Sequence, residues 1–247
     1  MITKATVKYI QSLQHKKFRD EYMHFIAEGP KVVYELLTQN FFNCIAIYVS
    51  KQAYDLLMKS KVIFDHKKLT LIEDFELQKI TAMTVPNGIL AIFEIKQHFN
   101  KVDATQNVIL MLDEIQDPGN LGTIIRTADW FGVKDIICSA ATADCYNPKV
   151  VQSTMASLGR VMLLYTDLAK FLEKNVSAHK YAAVLNGKDM ATLKKITSGI
   201  IIIGNESKGV SPNILLQATH GITIPKKGTA DSLNAAVAAG IIMHSLL

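Results

Sequence analysis

Short apolar runs alternate with amphipathic and polar segments along the whole chain. Runs of about four to eight residues rich in Val, Ile and Leu, such as residues 107–112 and 200–203, are typical of strands buried on both faces. Several segments between these runs space their apolar side chains about 3.6 residues apart, as amphipathic helices do. The alternation predicts an α/β fold whose mostly parallel sheet carries helices on both faces.

The same pattern predicts individual elements, while residues 15–22 are polar and basic and receive no assignment. Gly and Pro near the ends of many apolar runs mark the turns between elements. Strands are expected at residues 25–27, 44–49, 62–64, 69–72, 88–95, 107–112, 135–138, 161–165, 181–184, 200–203 and 221–225. Helices are expected at residues 3–12, 31–38, 52–59, 74–81, 121–131, 148–155, 168–175 and after residue 234.

Two domains follow from this order of elements. Residues 1–96 form a small α/β unit, and residues 107–247 form a larger one. Residues 97–106 are polar and lack periodicity, which is typical of a linker. A chain of 247 residues is long enough for two such domains.

Composition indicates a soluble globular protein, with 49% hydrophobic and 20% charged residues. The formal net charge of +5 is compatible with a polyanionic partner. Positive charge is concentrated in the first twenty residues, where Asp20 is the one acidic residue. The basic residues there are Lys4, Lys8, Lys16, Lys17 and Arg19. A solvated helix face and a phosphate-binding surface both fit this cluster.

The three cysteines, Cys44, Cys138 and Cys145, have neither the spacing of a zinc site nor that of a disulfide framework. We therefore expect buried free thiols, a reducing compartment and no metal. No apolar run approaches the length of a membrane span, and the N-terminus lacks a signal-like segment. A cytoplasmic protein without a membrane partner is expected.

Polar loops rich in small residues follow several of the predicted strands. In an open α/β sheet, loops at the carboxyl ends of strands bind ligands. Three of them carry the patterns N-x-G-x-x-x-R-x-A from Asn120, G-x-E-x-x-G-x-S from Gly204, and S-L-N from Ser232. In order and spacing, these patterns resemble the motifs of the SpoU, or TrmH-type, RNA ribose 2′-O-methyltransferases of the SPOUT superfamily.

The first domain resembles the ribosomal L30e-like substrate-binding domain that precedes the catalytic domain in many SpoU enzymes. This resemblance depends on Lys16-Lys17-Phe18-Arg19, on residues 25–29 (Phe-Ile-Ala-Glu-Gly) and on Val85-Pro86. It implies that Lys16, Lys17 and Arg19 contact RNA phosphates, which would position the RNA without reading its sequence.

The resemblance to SpoU enzymes implies methyl transfer from S-adenosyl-L-methionine to a ribose 2′-hydroxyl, with ribosomal RNA as the expected substrate. It further implies a deep trefoil knot in the C-terminal domain and a homodimer. Alternatives are a non-catalytic RNA-binding protein with the same fold, a tRNA 2′-O-methyltransferase and a methyltransferase acting on a base nitrogen. The modified nucleotide, the general base and the biological role, housekeeping or antibiotic resistance, stay open.

The resemblance also assigns roles to individual residues. Arginine stays protonated at neutral pH and is a poor general base, so we expect the fork of Arg126 to hold a phosphate and stabilise developing negative charge. Asn120 could act in the site, cap its helix, or do both. The implied catalytic residues are Arg126, Asn120, Glu206, Ser232 and Asn234, and the implied cofactor-binding residues are Gly204, Ile224 and Leu233.

Two positions depart from the family pattern. Ala235 stands where many members have Val, and Ala156 stands where many have Gly. Both changes are small, and we expect them to alter local packing rather than chemistry.

Overall fold

The computed structural model describes residues 1–96 and 102–247. They form two compact units, the first made of residues 1–96 with Asp144–Gly159 and the second of residues 102–143 with Arg160–Leu247. Part of the predicted linker, residues 97–101, lies outside the described residues. The segment Asp144–Gly159, which the sequence placed in the C-terminal domain, groups with the first unit. The other domain boundaries stay a prediction.

The helices of the described residues are numbered in chain order, and most of them begin close to their predicted positions. They are α1 (Lys4–Ser12), α2 (Lys16–Tyr22), α3 (Pro30–Gln39), α4 (Lys51–Lys59), α5 (Asp74–Ile80), α6 (Pro118–Trp130), α7 (Pro148–Thr154), α8 (Leu168–Lys174), α9 (Pro212–Leu215) and α10 (Ala235–Leu246).

The strands are numbered in the same way. They are β1 (His24–Glu28), β2 (Cys44–Val49), β3 (Leu69–Leu71), β4 (Ile89–Glu94), β5 (Val108–Leu112), β6 (Asp135–Cys138), β7 (Met162–Tyr165), β8 (Lys180–Asp189), β9 (Gly199–Ile203) and β10 (His220–Thr223).

The first unit contains a four-stranded mixed sheet in the order β1-β4-β2-β3. The central strand β4 runs antiparallel to both β1 and β2, and β3 pairs parallel to β2. One prediction was wrong here, and one element was not predicted. Residues 62–64 form no strand, and Ile63 is 89% exposed although its segment is apolar. Residues 16–22, which received no assignment, form α2.

The segment Asp144–Gly159 is held to the rest of the first unit by one buried ion pair and by aromatic packing. Arg19 is 2% exposed and donates to Asp144 Oδ2 from Nη2 at 2.6 Å. The centre of the Tyr146 ring lies 4.9 Å from the centre of the Phe25 ring in β1. Ala156 in this segment has φ +70°, a left-handed conformation that suits glycine better than other residues. The departure from Gly at this position therefore affects the backbone.

The second unit contains a six-stranded sheet in the order β10-β8-β9-β5-β6-β7. All neighbouring strands pair in parallel, which confirms the predicted fold class. All five residues of β9 are buried, as expected for a run of four isoleucines between two neighbouring strands. The predicted trefoil knot stays a prediction.

At one edge of this sheet, the backbones of β10 and β8 approach each other very closely. The register of β10 on β8 jumps between Gly221 and Ile222, so that Gly221 pairs with Ala182 and Ile222 with Lys188. A Cβ atom on Gly187 would lie 2.6 Å from the Ile222 carbonyl carbon. Glycine is thus required where the two backbones meet. This extension carries β8 beyond the predicted residues 181–184.

Candidate active site

Three polar loops of the second unit leave the carboxyl ends of parallel strands. The first follows β5 and leads into α6, the second follows β9, and the third joins β10 to α10. β5 and β9 are neighbours in exact register, with Leu112 opposite Ile203 and the Asp113 amide donating to the Ile203 carbonyl at 2.9 Å. This edge of a parallel sheet is where α/β proteins bind ligands.

A chain of hydrogen bonds joins these three loops. Asn120 Nδ2 donates to Glu206 Oε1 at 2.7 Å, and Asn234 Nδ2 donates to Asn120 Oδ1 at 2.8 Å. Asn234 Oδ1 in turn accepts from the amides of Ala236 and Val237 in the first turn of α10. One predicted residue from each of the three motifs therefore belongs to a single network.

The Asn120 side chain can join the network because another residue caps α6. Asp117 is the N-cap of α6, and its Oδ1 accepts from the Asn120 amide at 2.8 Å. Asn120 lies inside the helix, so its side chain is free to contact Glu206, and the suggestion that it caps the helix was wrong. Asn234 caps α10, whose N-terminus carries partial positive charge. That partial charge and the Glu206 carboxylate lie at opposite ends of the chain of hydrogen bonds, so both polarise these hydrogen bonds in the same direction.

The loop after β9 is a tight hairpin that depends on two glycines. Asn205 and Gly209 exchange backbone hydrogen bonds of 3.0 and 2.9 Å. Gly209 has φ +70° with open space around it. A Cβ on Gly204 would lie 2.2 Å from both the Gly209 carbonyl carbon and the Val210 nitrogen. The loop can therefore fold back only over a residue without a side chain, and this holds Glu206 in place.

Further side chains fix this loop, and they were not predicted from the sequence. Asp113 is 4% exposed, and its Oδ2 accepts from the Ser211 amide at 2.8 Å and from the Ser211 hydroxyl at 2.6 Å. Asn205 Nδ2 donates to the Glu114 carbonyl at 2.9 Å. An acidic residue directly after a buried strand was the available signal for Asp113, because that position faces the ligand-binding edge.

Two predicted catalytic residues lie outside the network. Arg126 in α6 is exposed, and its guanidinium forms no hydrogen bond or salt bridge with any residue in 1–96 or 102–247. Ser232 is also exposed, and its hydroxyl has no hydrogen-bonding partner in the same ranges. Both side chains are therefore available to a ligand.

The loop between β10 and α10 has the chemistry that an adenosine group needs. Within the described part of the chain, the backbone groups of residues 225–233 form no hydrogen bonds with other backbone groups. Of the apolar residues of this loop, Leu233 is 45% exposed and Ile224 is half-buried. Free amides and carbonyls beside apolar side chains suit the polar edge and flat faces of adenine. Gly204, Ile224 and Leu233 thus fit S-adenosylmethionine.

The basic residues predicted to bind RNA differ in availability. Arg19 is buried, and besides Asp144 its Nη1 donates to the Leu13 and Gln14 carbonyls at 2.9 Å. Its assignment to phosphate binding is therefore corrected, because the side chain is buried and four of the five N–H groups of its guanidinium already donate to protein oxygens. Lys16 is exposed but pairs with Asp20 at 2.6 Å. Lys17 is exposed, and its ammonium lies 5.7 Å from the centre of the Phe18 ring.

Of the helices in residues 1–96 and 102–247, none is long and apolar enough to cross a membrane. The described side chains include no group of three or more His, Cys, Asp and Glu placed to hold a metal ion.

Several solved or curated proteins are similar to the whole chain. A structure of a TrmH-family protein from Porphyromonas gingivalis has a TM-score of 0.87 at 30% identity, covering 100% of this chain and 98% of that one. The AdoMet-bound rRNA methyltransferase from Sinorhizobium meliloti has a TM-score of 0.86 at 29% identity, with 100% and 95% covered. The 23S rRNA (guanosine(2553)-2'-O)-methyltransferase RlmP of Bacillus subtilis (strain 168) is 29% identical, with 97% and 95% covered.

Fold and site together define an RNA methyltransferase, as the motifs predicted. Residues 107–244 match the model of the SpoU rRNA Methylase family, and residues 4–91 match that of the MRM3-like substrate binding domain. The chain belongs to the SpoU rRNA methylase family. The predicted family is confirmed, and so is the predicted cofactor, which similar enzymes of known structure bind.

Proposed function

We propose that this protein transfers a methyl group from S-adenosylmethionine to a ribose 2′-hydroxyl of ribosomal RNA. The observation that carries the proposal is the Asn234–Asn120–Glu206 network, which joins all three family motifs at the carboxyl edge of the sheet. The similarity to RlmP and to the Sinorhizobium enzyme supports rRNA as the substrate. Action in the cytoplasm stays a prediction.

The cofactor supplies an electrophilic methyl group when it is bound. The backbone groups of residues 225–233 and of Gly204 would hold its adenosine part, with Ile224 and Leu233 as apolar walls. The protein must then align the attacking hydroxyl and keep water away, since positioning alone can lower a barrier by about 7–11 kcal/mol. The fixed loop from Gly204 to Ser211 provides a rigid wall for this purpose.

Arg126 would bind the RNA beside the reacting hydroxyl. Its planar fork can hold a phosphate through two parallel hydrogen bonds and stabilise charge on the attacking oxygen. The exposed Ser232 hydroxyl can accept or donate a hydrogen bond to the ribose. Glu206 is half-buried, and Asn120 occupies its Oε1. Its second oxygen is the acceptor in this network to which a substrate proton could pass.

We assign RNA binding to the first unit as well, since its residues 4–91 match a substrate-binding domain. Of the three basic residues proposed from the sequence, Lys17 has a free ammonium beside an aromatic ring, which suits contact with nucleic acid. Lys16 would have to leave Asp20 before binding a phosphate.

We further propose that the protein is a homodimer formed through α6 and α10. These helices pack on each other, and their outer surfaces carry Trp130, Val237 and Ile241, which are 85%, 50% and 36% exposed. Such apolar side chains on adjacent helices are typical of an interface. Light scattering tests this: the protein should have the mass of two chains and Trp130→Glu the mass of one, whereas a monomeric wild type would contradict it.

Incubation with tritiated S-adenosylmethionine tests the main proposal. Separate ribosomal and transfer RNA fractions would be labelled, digested to nucleosides and chromatographed. Label in a 2′-O-methylated nucleoside of the ribosomal fraction is the expected result. Label confined to transfer RNA would show that transfer RNA is the substrate, and label on a base would show that the reaction is base methylation. Absence of label would favour a non-catalytic RNA-binding protein.

A further inference from the structure

A cavity of 130 Å³ lies in the first unit, where the end of α3 and the start of β2 meet residues 63–68. Leu37, Phe42 and Ile47 form an apolar inner wall and are almost completely buried. A cavity of about 150 Å³ in a protein core is known to hold one benzene molecule. This cavity therefore has the size of a single six-membered ring.

The mouth of the cavity is polar, and its side chains are held in different ways. Lys68 Nζ donates to the Cys44 carbonyl at 2.7 Å and to Asn43 Oδ1 at 3.3 Å, which fixes the ammonium at the rim. Asp65 Oδ1 accepts from the Lys67 amide, which leaves its second oxygen open. The side-chain amide of Asn40 has no hydrogen-bonding partner among the described residues.

The chain beside the mouth is basic and aromatic. Residues 59–68 contain four lysines and one histidine against the single acidic residue Asp65. Phe64 lines the cavity, and its ring centre lies 4.7 Å from that of His66. On the other side Lys96 lies over the Phe41 ring, while the exposed Glu94 accepts from Asn43. Lysines around an aromatic-lined cavity are typical of sites for single-stranded nucleic acid.

We propose that this cavity binds the base of one unpaired pyrimidine nucleotide of the RNA, with Phe64 against the base and Lys67 and Lys68 near the flanking phosphates. The inference rests on the proposed function, because it takes RNA as the substrate. It moves the principal RNA contact of the first unit from α2, where Arg19 is buried and Lys16 is paired, to the segment before β3.

The choice of a pyrimidine follows from size and from Asn40. A purine has two fused rings and exceeds a cavity that accommodates one. The unpartnered Asn40 amide offers one acceptor and two donors. These complement the edge of uracil, which presents an N–H between two carbonyl oxygens, and also that of cytosine.

Binding of labelled oligonucleotides tests the proposal without cofactor. Fluorescence anisotropy with fluorescein-labelled decauridylate and decaadenylate would be measured on the full chain and on Phe64→Ala and Asn40→Gly. Asn40 ends α3 with φ +50°, so glycine keeps the backbone while removing the amide. Lys174→Gln, at an exposed lysine that ends α8 in the second unit, is the control.

The wild type should bind decauridylate more tightly than decaadenylate. Phe64→Ala should weaken decauridylate binding about tenfold, as loss of one base–aromatic contact does. Asn40→Gly should reduce the preference for decauridylate, and the affinity of Lys174→Gln should stay within about twofold of the wild type. Lys67→Gln, an exposed change that leaves the core intact, should lower the salt slope by about 0.7.

Equal affinity of the wild type for both oligonucleotides would overturn the proposal, and so would unchanged binding in Phe64→Ala, Asn40→Gly and Lys67→Gln. Thermal unfolding of each variant shows whether a loss of binding comes from misfolding. If Phe64→Ala or Asn40→Gly is misfolded, the salt dependence of binding by Lys67→Gln tests the proposal instead. Methyl transfer is measured separately. If the wild type methylates RNA and these variants bind oligonucleotides normally, this inference is contradicted and the proposed function is not. If the wild type methylates no RNA, the proposed function is contradicted.

Discussion

Asn120 donates a 2.7 Å hydrogen bond to Glu206, a residue 86 positions further along the chain. Because Asn120 also accepts from Asn234, its amide group cannot turn over without losing both contacts. The pair therefore has a defined direction, with the carboxylate as the final acceptor.

Exchanging donor and acceptor tests this direction. Asn120→Asp alone places two carboxylates in contact and should lower the free energy of unfolding by about 1–3 kcal/mol. The double variant Asn120→Asp with Glu206→Gln restores both hydrogen bonds, since the new carboxylate accepts from Asn234 and from the new amide. Its stability in urea unfolding should return to within about 0.5 kcal/mol of the wild type. Methyl transfer should stay low, because the charge is no longer at position 206.

The change in the free energy of unfolding of the double variant could equal the sum of the changes measured for Asn120→Asp and Glu206→Gln alone. That result would contradict a direct contact between these two side chains. Recovery of full methyl transfer in the double variant would show that the position of the charge is unimportant.

Gly204 and Gly209 form a matched pair for testing the loop after β9. Gly209→Ala meets open space at φ +70° and should cost about 1 kcal/mol of stability with little loss of cofactor affinity. Gly204→Ala would place its Cβ 2.2 Å from backbone atoms, so the loop must open. It should cost about 3 kcal/mol and strongly weaken S-adenosylmethionine binding in calorimetry. Similar effects of the two substitutions would contradict the close approach.

Arg126→Ala should separate catalysis from folding. The side chain is exposed and unpaired within the described residues, so stability should change by less than about 0.5 kcal/mol. Methyl transfer should fall about a hundredfold or more, as when a charge-stabilising donor is removed elsewhere. Cofactor affinity should be unchanged, and Arg126→Lys should recover little activity because it lacks the planar fork. Lys134→Ala, at an exposed cation directly before β6, is the control.

Glu28 should make the stability of the first unit depend on pH. This 6% exposed carboxylate accepts from the Thr81 hydroxyl and from the Ala82 amide. Burial raises its pKa above the ordinary value of 4.5, and these hydrogen bonds offset part of the increase. The folded state therefore favours the protonated form, and its contribution to stability is largest below pH 4.5 and declines as pH rises through the raised pKa.

Glu28→Gln stays neutral at every pH. The difference in free energy of unfolding between Glu28→Gln and the wild type should increasingly favour the variant as pH rises from 4.5. Urea titrations across that range measure it, with the exposed Glu21→Gln as control. A difference independent of pH would show that the Glu28 pKa is not raised.

Local patterns predicted the parallel sheet because alternating short apolar runs and amphipathic segments are short-range features. The four isoleucines of β9 and the polar loop after them were visible in the sequence. Asn120, Glu206 and Asn234 were grouped by the resemblance of their motifs to those of the SpoU family, since they lie 86 and 114 residues apart. Arg19 was misassigned because its burial depends on Asp144, which lies 125 residues away. Residues 62–64 were taken for a strand because their apolar side chains suggested burial, whereas these residues adjoin the cavity mouth. Long-range pairing of this kind leaves no local pattern.

The position of β9 between β5 and β8 has a consequence for synthesis on the ribosome. β5 is made early and can pair with β6, but its other edge has to wait for residues 199–203. Until then a nascent chain exposes an unpaired apolar strand edge, which favours contact with chaperones or with other nascent chains. The six-stranded sheet is therefore complete only after residues 199–203 and the β10 strand have been made.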